Sequence, residues 1–226
     1  MNRLNWVTGL LIFVLPASAG DVRGHAVITK RLTRKALSPV VYNLRGAVPG
    51  PSGLNEAEPE SDFDRLVLVL EGGTSKAKPP ETVIINQRNL RFEPDLVVVP
   101  VGSTVQFPNA DPIFHNIFSL SKTQPFDLGF YPQRQSRTVK FSRNGIVQVY
   151  CHIHANMYAA IVVTSSPWYA RPAEDGSFSW SNVPAGHYRL TAWHKIAGLF
   201  KTEIDVPENG QTETTIRIPI DVDTER

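Results

Sequence analysis

The chain has 226 residues, 42% of them hydrophobic and 19% charged, with a formal net charge of +2 at pH 7. That composition folds, is long enough for one large β domain or two ordinary ones, and excludes a disordered tail. The near-neutral balance argues against nucleic acid or an anionic membrane as partner, and a single cysteine excludes a disulfide framework and any CxxC zinc or iron–sulfur site.

Residues 1–3 carry one basic side chain, residues 4–15 form an apolar run, and Pro16-Ala17-Ser18-Ala19 ends on an Ala-x-Ala pattern. This order predicts a secretory signal peptide over residues 1–19, because about 12 apolar residues fall short of the about 20 that span a bilayer. The rival reading is an uncleaved N-terminal anchor. No later apolar run is long enough to span, so the mature chain is expected to be periplasmic or secreted, with no integral membrane span. Downstream, runs rich in Val, Ile and Phe recur about every 10 residues between turn residues, an all-β pattern. Strands are predicted at 25–30, 39–44, 66–71, 82–86, 96–101, 104–107, 137–141, 146–151 and 158–164. Further strands are predicted at 177–180, 187–194, 202–206 and 214–219. Asn144-Gly145, Asp175-Gly176 and Asn209-Gly210 lie between such runs and supply positive-φ residues for tight turns. Ile204 and Val206 alternate with Glu203 and Asp205, and Ile216 and Ile218 flank Arg217, as on strands with one buried face. Residues 46–64 and 72–80, rich in Pro and Gly, read as loops. The basic cluster Lys30, Arg31, Arg34, Lys35 lacks interleaved aromatics and reads as a polar hairpin end. The chain thus divides into N-terminal strands over 20–64, a compact β unit over 65–164 and about four strands over 165–226.

Cys151 is the only cysteine, and Met157 the only methionine after the initiator. They close the segment Val149-Tyr150-Cys151-His152-Ile153-His154-Ala155-Asn156-Met157, where one strand ends and another begins. Upstream, His115 sits in the apolar stretch Phe114-His115-Asn116-Ile117-Phe118. Thiolate, two imidazoles and a thioether suit copper, and a trigonal His₂Cys set with a weak axial Met is the blue-copper arrangement. Cys151-x2-His154-x2-Met157 lets one loop offer three donors, and His115 closes the site from a distant strand. The metal ligands read from this pattern are His115, Cys151, His154 and Met157. His152 is the other candidate for the second imidazole, although alternation along a strand turns it opposite to Cys151. The plain alternative is that Cys151 and Met157 are core residues, as Cys and Met often are. His25, His187 and His194 lie scattered in strand patterns and read as structural.

These residues resemble the cupredoxins, the plastocyanin and amicyanin type of copper protein, over about 66–164. The C-x2-H-x2-M spacing is similar to that of short-loop, amicyanin-like members. His115-Asn116 resembles the family's first ligand and the following Asn, whose side chain braces the ligand loop. The chain departs from many members in lacking Pro beside His154; its neighbours are Ile153 and Ala155. More narrowly, Phe107-Pro108-Asn109-Ala110-Asp111 and Tyr150-Cys151-His152-Ile153-His154 resemble exported cupredoxins of a methylamine-utilisation type. Asp175-Gly176-Ser177-Phe178 and Val183-Pro184-Ala185-Gly186-His187-Tyr188-Arg189-Leu190 resemble carboxypeptidase-regulatory-like modules. The resemblance implies a cupredoxin Greek-key β-sandwich plus a small prealbumin-like β-sandwich module. The strands near 24–30 and 39–44 are similar to that module's opening strands, which implies a cupredoxin inserted into it.

The function implied is that of an exported, periplasmic carrier of one electron, with one type 1 copper ion as cofactor and a transient redox protein as partner. Two readings from other classes stand beside it: copper handling without electron transfer, and an envelope- or carbohydrate-binding β module. An enzyme is not expected, since G-x-S-x-G, H-E-x-x-H and P-loop motifs are absent. A multicopper oxidase is disfavoured because no His-x-His pair occurs outside the Cys151 loop.

Overall fold

The computed structural model describes residues 19–29, 61–73 and 75–219. Residues 1–18 of the expected signal peptide and the strand expected at 39–44 lie outside these residues. Strand β1 (Ala19–Ile28) comes first, and a short 3-10 turn at Asp62–Arg65 leads into β2 (Leu66–Gly72). Then follow β3 (Thr82–Ile84), β4 (Asn86–Arg88), β5 (Arg91–Glu93), β6 (Leu96–Pro100), β7 (Thr104–Pro108) and β8 (His115–Ser119). Next come β9 (Phe126–Tyr131), β10 (Ser136–Lys140), β11 (Gly145–Tyr150), β12 (Tyr158–Thr164) and β13 (Tyr169–Ala170). The last are β14 (Ser177–Pro184), β15 (Gly186–His194), β16 (Gly198–Val206) and β17 (Gln211–Ile218). No α-helix occurs among the described residues, so the all-β expectation holds. No helix among them is long and apolar enough to cross a membrane.

Three sheets surround one core. The five-stranded sheet β6-β12-β11-β8-β9 faces the three-stranded sheet β10-β7-β3, with the β4-β5 hairpin beside them. Phe107, Ile117, Tyr131, Phe141, Val149, Met157 and Ile161 fill the space between. Two further sheets, β14-β1-β17 and β13-β2-β15-β16, enclose a second core of Val22, Leu66, Leu68, Trp180, Tyr188 and Ile216. In that half β1 pairs parallel with β17 and antiparallel with β14. Residues before and after the first core therefore share one sheet.

Alternation explains how the halves join. On β12, Ala159, Ile161 and Val163 enter the first core. Ala160 and Val162, on the opposite face, pack with Val67, Val69 and Trp193. On β2, Leu66, Leu68 and Leu70 enter the second core while Val67 and Val69 meet β12. Successive side chains point to opposite faces, so a strand apolar at every position must be covered on both. β2 falls in sequence with the 65–164 segment, yet it pairs with β13 and with β15.

The Asn-Gly and Asp-Gly turns behave as expected, with positive φ at Gly145, Gly176 and Gly210. Gly176 is the most constrained, because a Cβ there would run into the Ala26 carbonyl oxygen on β1. Ile204, Val206, Ile216 and Ile218 are buried, as their alternation predicts. β9 was not predicted. Only Tyr131 of its six residues is buried, and Gly129 interrupts the pattern at φ +67°, so this edge strand carries no strong alternation.

Candidate metal centre

His115 is the first residue of β8 and is fully buried. Cys151 follows the last residue of β11 and is buried in the first core. Between it and β12 the chain makes a tight turn, closed by the Met157 N–H donating to the His154 carbonyl at 3.0 Å. The turn brings His154 back over the cysteine.

Three donor atoms converge. His115 Nδ1 lies 3.0 Å from His154 Nδ1, and Cys151 Sγ lies 4.0 Å from the first nitrogen and 3.6 Å from the second. A point equidistant from the three atoms is about 2.1 Å from each, close to the about 2.0–2.1 Å and 2.3 Å at which His nitrogen and Cys sulfur bind zinc, a first-row ion of similar size. The donor set and its spacing therefore fit a metal of the kind that soft sulfur and imidazole select. Among the described residues, this is the one group of three His, Cys, Asp or Glu side chains close enough to hold an ion. Met157 is fully buried in the same core as Cys151.

The imidazoles are set by their surroundings. His115 Nε2 lies 2.8 Å from Asp111 Oδ2, so Nδ1 is the ring nitrogen that faces Cys151 and His154. Asp111 also accepts from the Asn89 N–H at 2.6 Å and the Leu90 N–H at 3.0 Å. Burial pushes the Asp111 carboxyl up, but hydrogen bonds from Leu90, His115 and Asn89 outweigh it and hold the group below its ordinary value. At His154, desolvation first and the neighbouring His115 second push the imidazole down, so it favours the neutral, ligating form. The loop before β8 is pinned by Asn109, whose amide donates to the Ile113 carbonyl at 2.8 Å and the Tyr131 carbonyl at 3.2 Å. Beneath it, Tyr131 donates to the Phe107 carbonyl at 2.9 Å and accepts from Gln87 at 2.6 Å.

His152 points away from the cluster. Its ring stacks on Phe118, and its Nε2 lies 3.3 Å from Asp127 Oδ2. The second imidazole of the cluster is therefore that of His154. Asn116 differs from the role its resemblance implied. Its amide donates to Asp127 Oδ1 on β9 at 2.6 Å, not to the ligand turn, and its own Oδ1 is buried without a partner among the described residues. The Gly129 N–H donates to the same Asp127 oxygen, and this bond, the Asn116 amide and His152 hold that carboxyl below its ordinary value. Sequence reasoning missed the roles of Asp111 and Asp127. For Asp111 a signal existed: a carboxylate four residues before a histidine that opens an apolar run.

No family model matches this chain, and no curated protein sequence matches it. Among solved structures it is similar to a proline-to-glycine mutant of amicyanin in its reduced Cu(I) form, at 20% identity over 37% of this chain and 82% of that chain, with a TM-score of 0.35. A reduced tryptophan-to-tyrosine mutant of amicyanin is 17% identical over 43% of this chain and 98% of that chain, also with a TM-score of 0.35. The copper-containing nitrite reductase of Thermus scotoductus SA-01 is 24% identical over 42% of this chain and 25% of that chain, with a TM-score of 0.36. These likenesses are partial, and the functional reading rests on the chain's own His115, Cys151 and His154.

Proposed function

We propose that this protein is an exported type 1 copper protein that carries one electron between protein partners. The observation that supports it is the convergence of His115 Nδ1, His154 Nδ1 and Cys151 Sγ on one point. Copper bound there supplies a Cu(II)/Cu(I) couple. His115 offers its lone pair from a strand end, and Cys151 offers sulfur from a buried, water-poor position. Met157 is the proposed weak axial ligand, consistent with its burial beside Cys151 in one core. Ligands drawn from a sheet and one closed turn move little when charge changes, which suits fast electron transfer. His154, part-exposed at the turn, is the proposed exit for the electron. Ile113, Phe114 and Ile153 are exposed at the ligand-bearing end and form the proposed docking patch for a transient redox partner.

We read the copper unit as β3–β12, and the carboxypeptidase-regulatory-like module as β1, β2 and β13–β17. This grouping follows the two cores and moves β2 out of the 65–164 segment. Export rests on the Ala-x-Ala pattern at residues 17–19.

The test is the visible spectrum of the chain after Cu(II) addition, beside Cys151→Ser. An intense thiolate-to-copper band that the variant lacks is expected. Tight Cu(I) binding with no such band would replace electron transfer by copper handling. No copper binding at all would return Cys151 and Met157 to plain core residues.

A further inference from the structure

We propose that Asp111 is a positioning residue of the copper centre: its carboxylate fixes the tautomer and the aim of the His115 ring and adds a buried negative charge behind the metal. The inference rests on the copper reading above and goes beyond the ligand set.

The geometry is specific. His115 is completely buried, and its side chain meets Asp111 through one ring nitrogen and the Cys151–His154 pair through the other. An anionic carboxylate only accepts, so the shared proton belongs to His115 Nε2. Nδ1 is then left with a lone pair facing the donor cluster. A histidine that gives its second nitrogen to a carboxylate is the usual way a metal ligand is oriented and made more basic.

Asp111 cannot easily turn away. Its Oδ1 receives the Asn89 N–H and its Oδ2 the Leu90 N–H, while its own N–H donates to Asn109 Oδ1 at 2.9 Å. Asn89 and Leu90 adopt φ of +54° and +58°, conformations that non-glycine residues seldom take. That left-handed turn between β4 and β5 aims two consecutive N–H groups at one carboxylate. The hairpin thus acts on the site through Asp111.

Asp111→Asn separates the roles. The amide retains one acceptor oxygen for the Asn89–Leu90 turn. It cannot accept at both places: with its oxygen at the Oδ2 place the Asn89 bond is lost, and with its oxygen at the Oδ1 place the Leu90 bond is lost and His115 meets an NH₂ group. In the second case His115 gains by moving its proton to Nδ1, where it blocks ligation. The expected result is a Cu(II) affinity about 10–100-fold weaker by direct titration with copper sulfate, the loss typical of removing such a partner. Losing the negative charge also favours Cu(I). The midpoint potential is expected to rise, and a tenfold change in preference corresponds to about 59 mV for one electron. The wild type provides a readout that needs no variant. In its metal-free form, nitrogen NMR should place the His115 proton on Nε2, in slow exchange with water.

A wild type with the charge-transfer band whose Asp111→Asn variant keeps the same affinity and potential overturns this proposal alone, and leaves Asp111 a staple for the turn. If the variant does not fold, the NMR measurement decides, and a His115 proton on Nδ1, or no proton on Nε2, overturns it. A wild type with no charge-transfer band overturns the copper reading and this proposal together.

Discussion

The imidazole of His152 lies flat on the ring of Phe118, with centroids 3.8 Å apart and planes 3° from parallel. This contact turns the histidine beside Cys151 outward, across the sheet face from the donor cluster, and leaves the cluster to His154. Two histidines two residues apart are thus given different surroundings by strand alternation and the turn that follows.

His152→Ala should leave the copper spectrum of the chain close to wild type and cost about 0.5–1 kcal/mol of stability, the lower part of the range for a stacked pair because the imidazole is half exposed. His154→Ala should abolish the charge-transfer band. Spectra and urea midpoints of the two variants check this pair, and a band lost with His152 instead of His154 would reverse the assignment.

His194 provides a pH dependence away from the site. Its Nε2 donates to the Asp62 carbonyl at 3.1 Å, and its Nδ1 accepts the Ile196 and Ala197 N–H groups at 3.3 Å and 3.0 Å. Burial is the main cause that pushes it below its ordinary value of 6.5; the Asp62 contact opposes and Arg65 assists. The folded chain therefore binds this proton less readily than the unfolded chain. The stabilisation is fully present above pH 6.5, and is lost progressively as pH falls below 6.5 and on through the lower folded value. His194→Gln should cost about 1–3 kcal/mol at pH 8, by leaving buried backbone donors poorly paired, and should flatten this slope. Urea unfolding of both chains at pH 8, 6.5 and 5 measures it, and parallel slopes would remove His194 as the cause.

The two cores should respond separately. Ile161→Ala and Leu68→Ala each remove a fully buried branched side chain and should each cost about 2–5 kcal/mol. Only the first opens the core that holds Cys151 and Met157, so only it should broaden or shift the copper band. Trp193→Ala, at the junction, should cost about 3–5 kcal/mol. If Leu68→Ala perturbs the copper spectrum as much as Ile161→Ala, the cores are not independent.

Removing residues 19–28 should unfold the strands after 165 while sparing the copper unit, because β1 is the central strand of β14-β1-β17 and supplies Val22 and Ala26 to their core. Hydrogen exchange on the shortened chain would show protection lost over β14 and β17. Protection retained there would refute the proposed grouping of β1 with the C-terminal strands.

Local chemistry was readable without the fold. Cys151, His154 and Met157 lie within seven residues, so the turn that gathers Cys151 and His154 had to be short, and His115 stood out as a histidine in an apolar run. The strand alternation at 202–206 and 214–219 and the three glycine turns were equally local. What the residues by themselves left open depends on pairing across the chain. Asp127 reaches Asn116 and His152 because β9 pairs with β8, and its weak edge pattern gives no hint of that pairing. Asp111 is held by a hairpin more than 20 residues upstream, through backbone N–H groups that any residue carries. β2 and β12 are apolar on both faces, so their sequences specify burial but not the sheet or core each face meets. Periodicity records which positions leave water; only the tertiary structure decides which surfaces close over them.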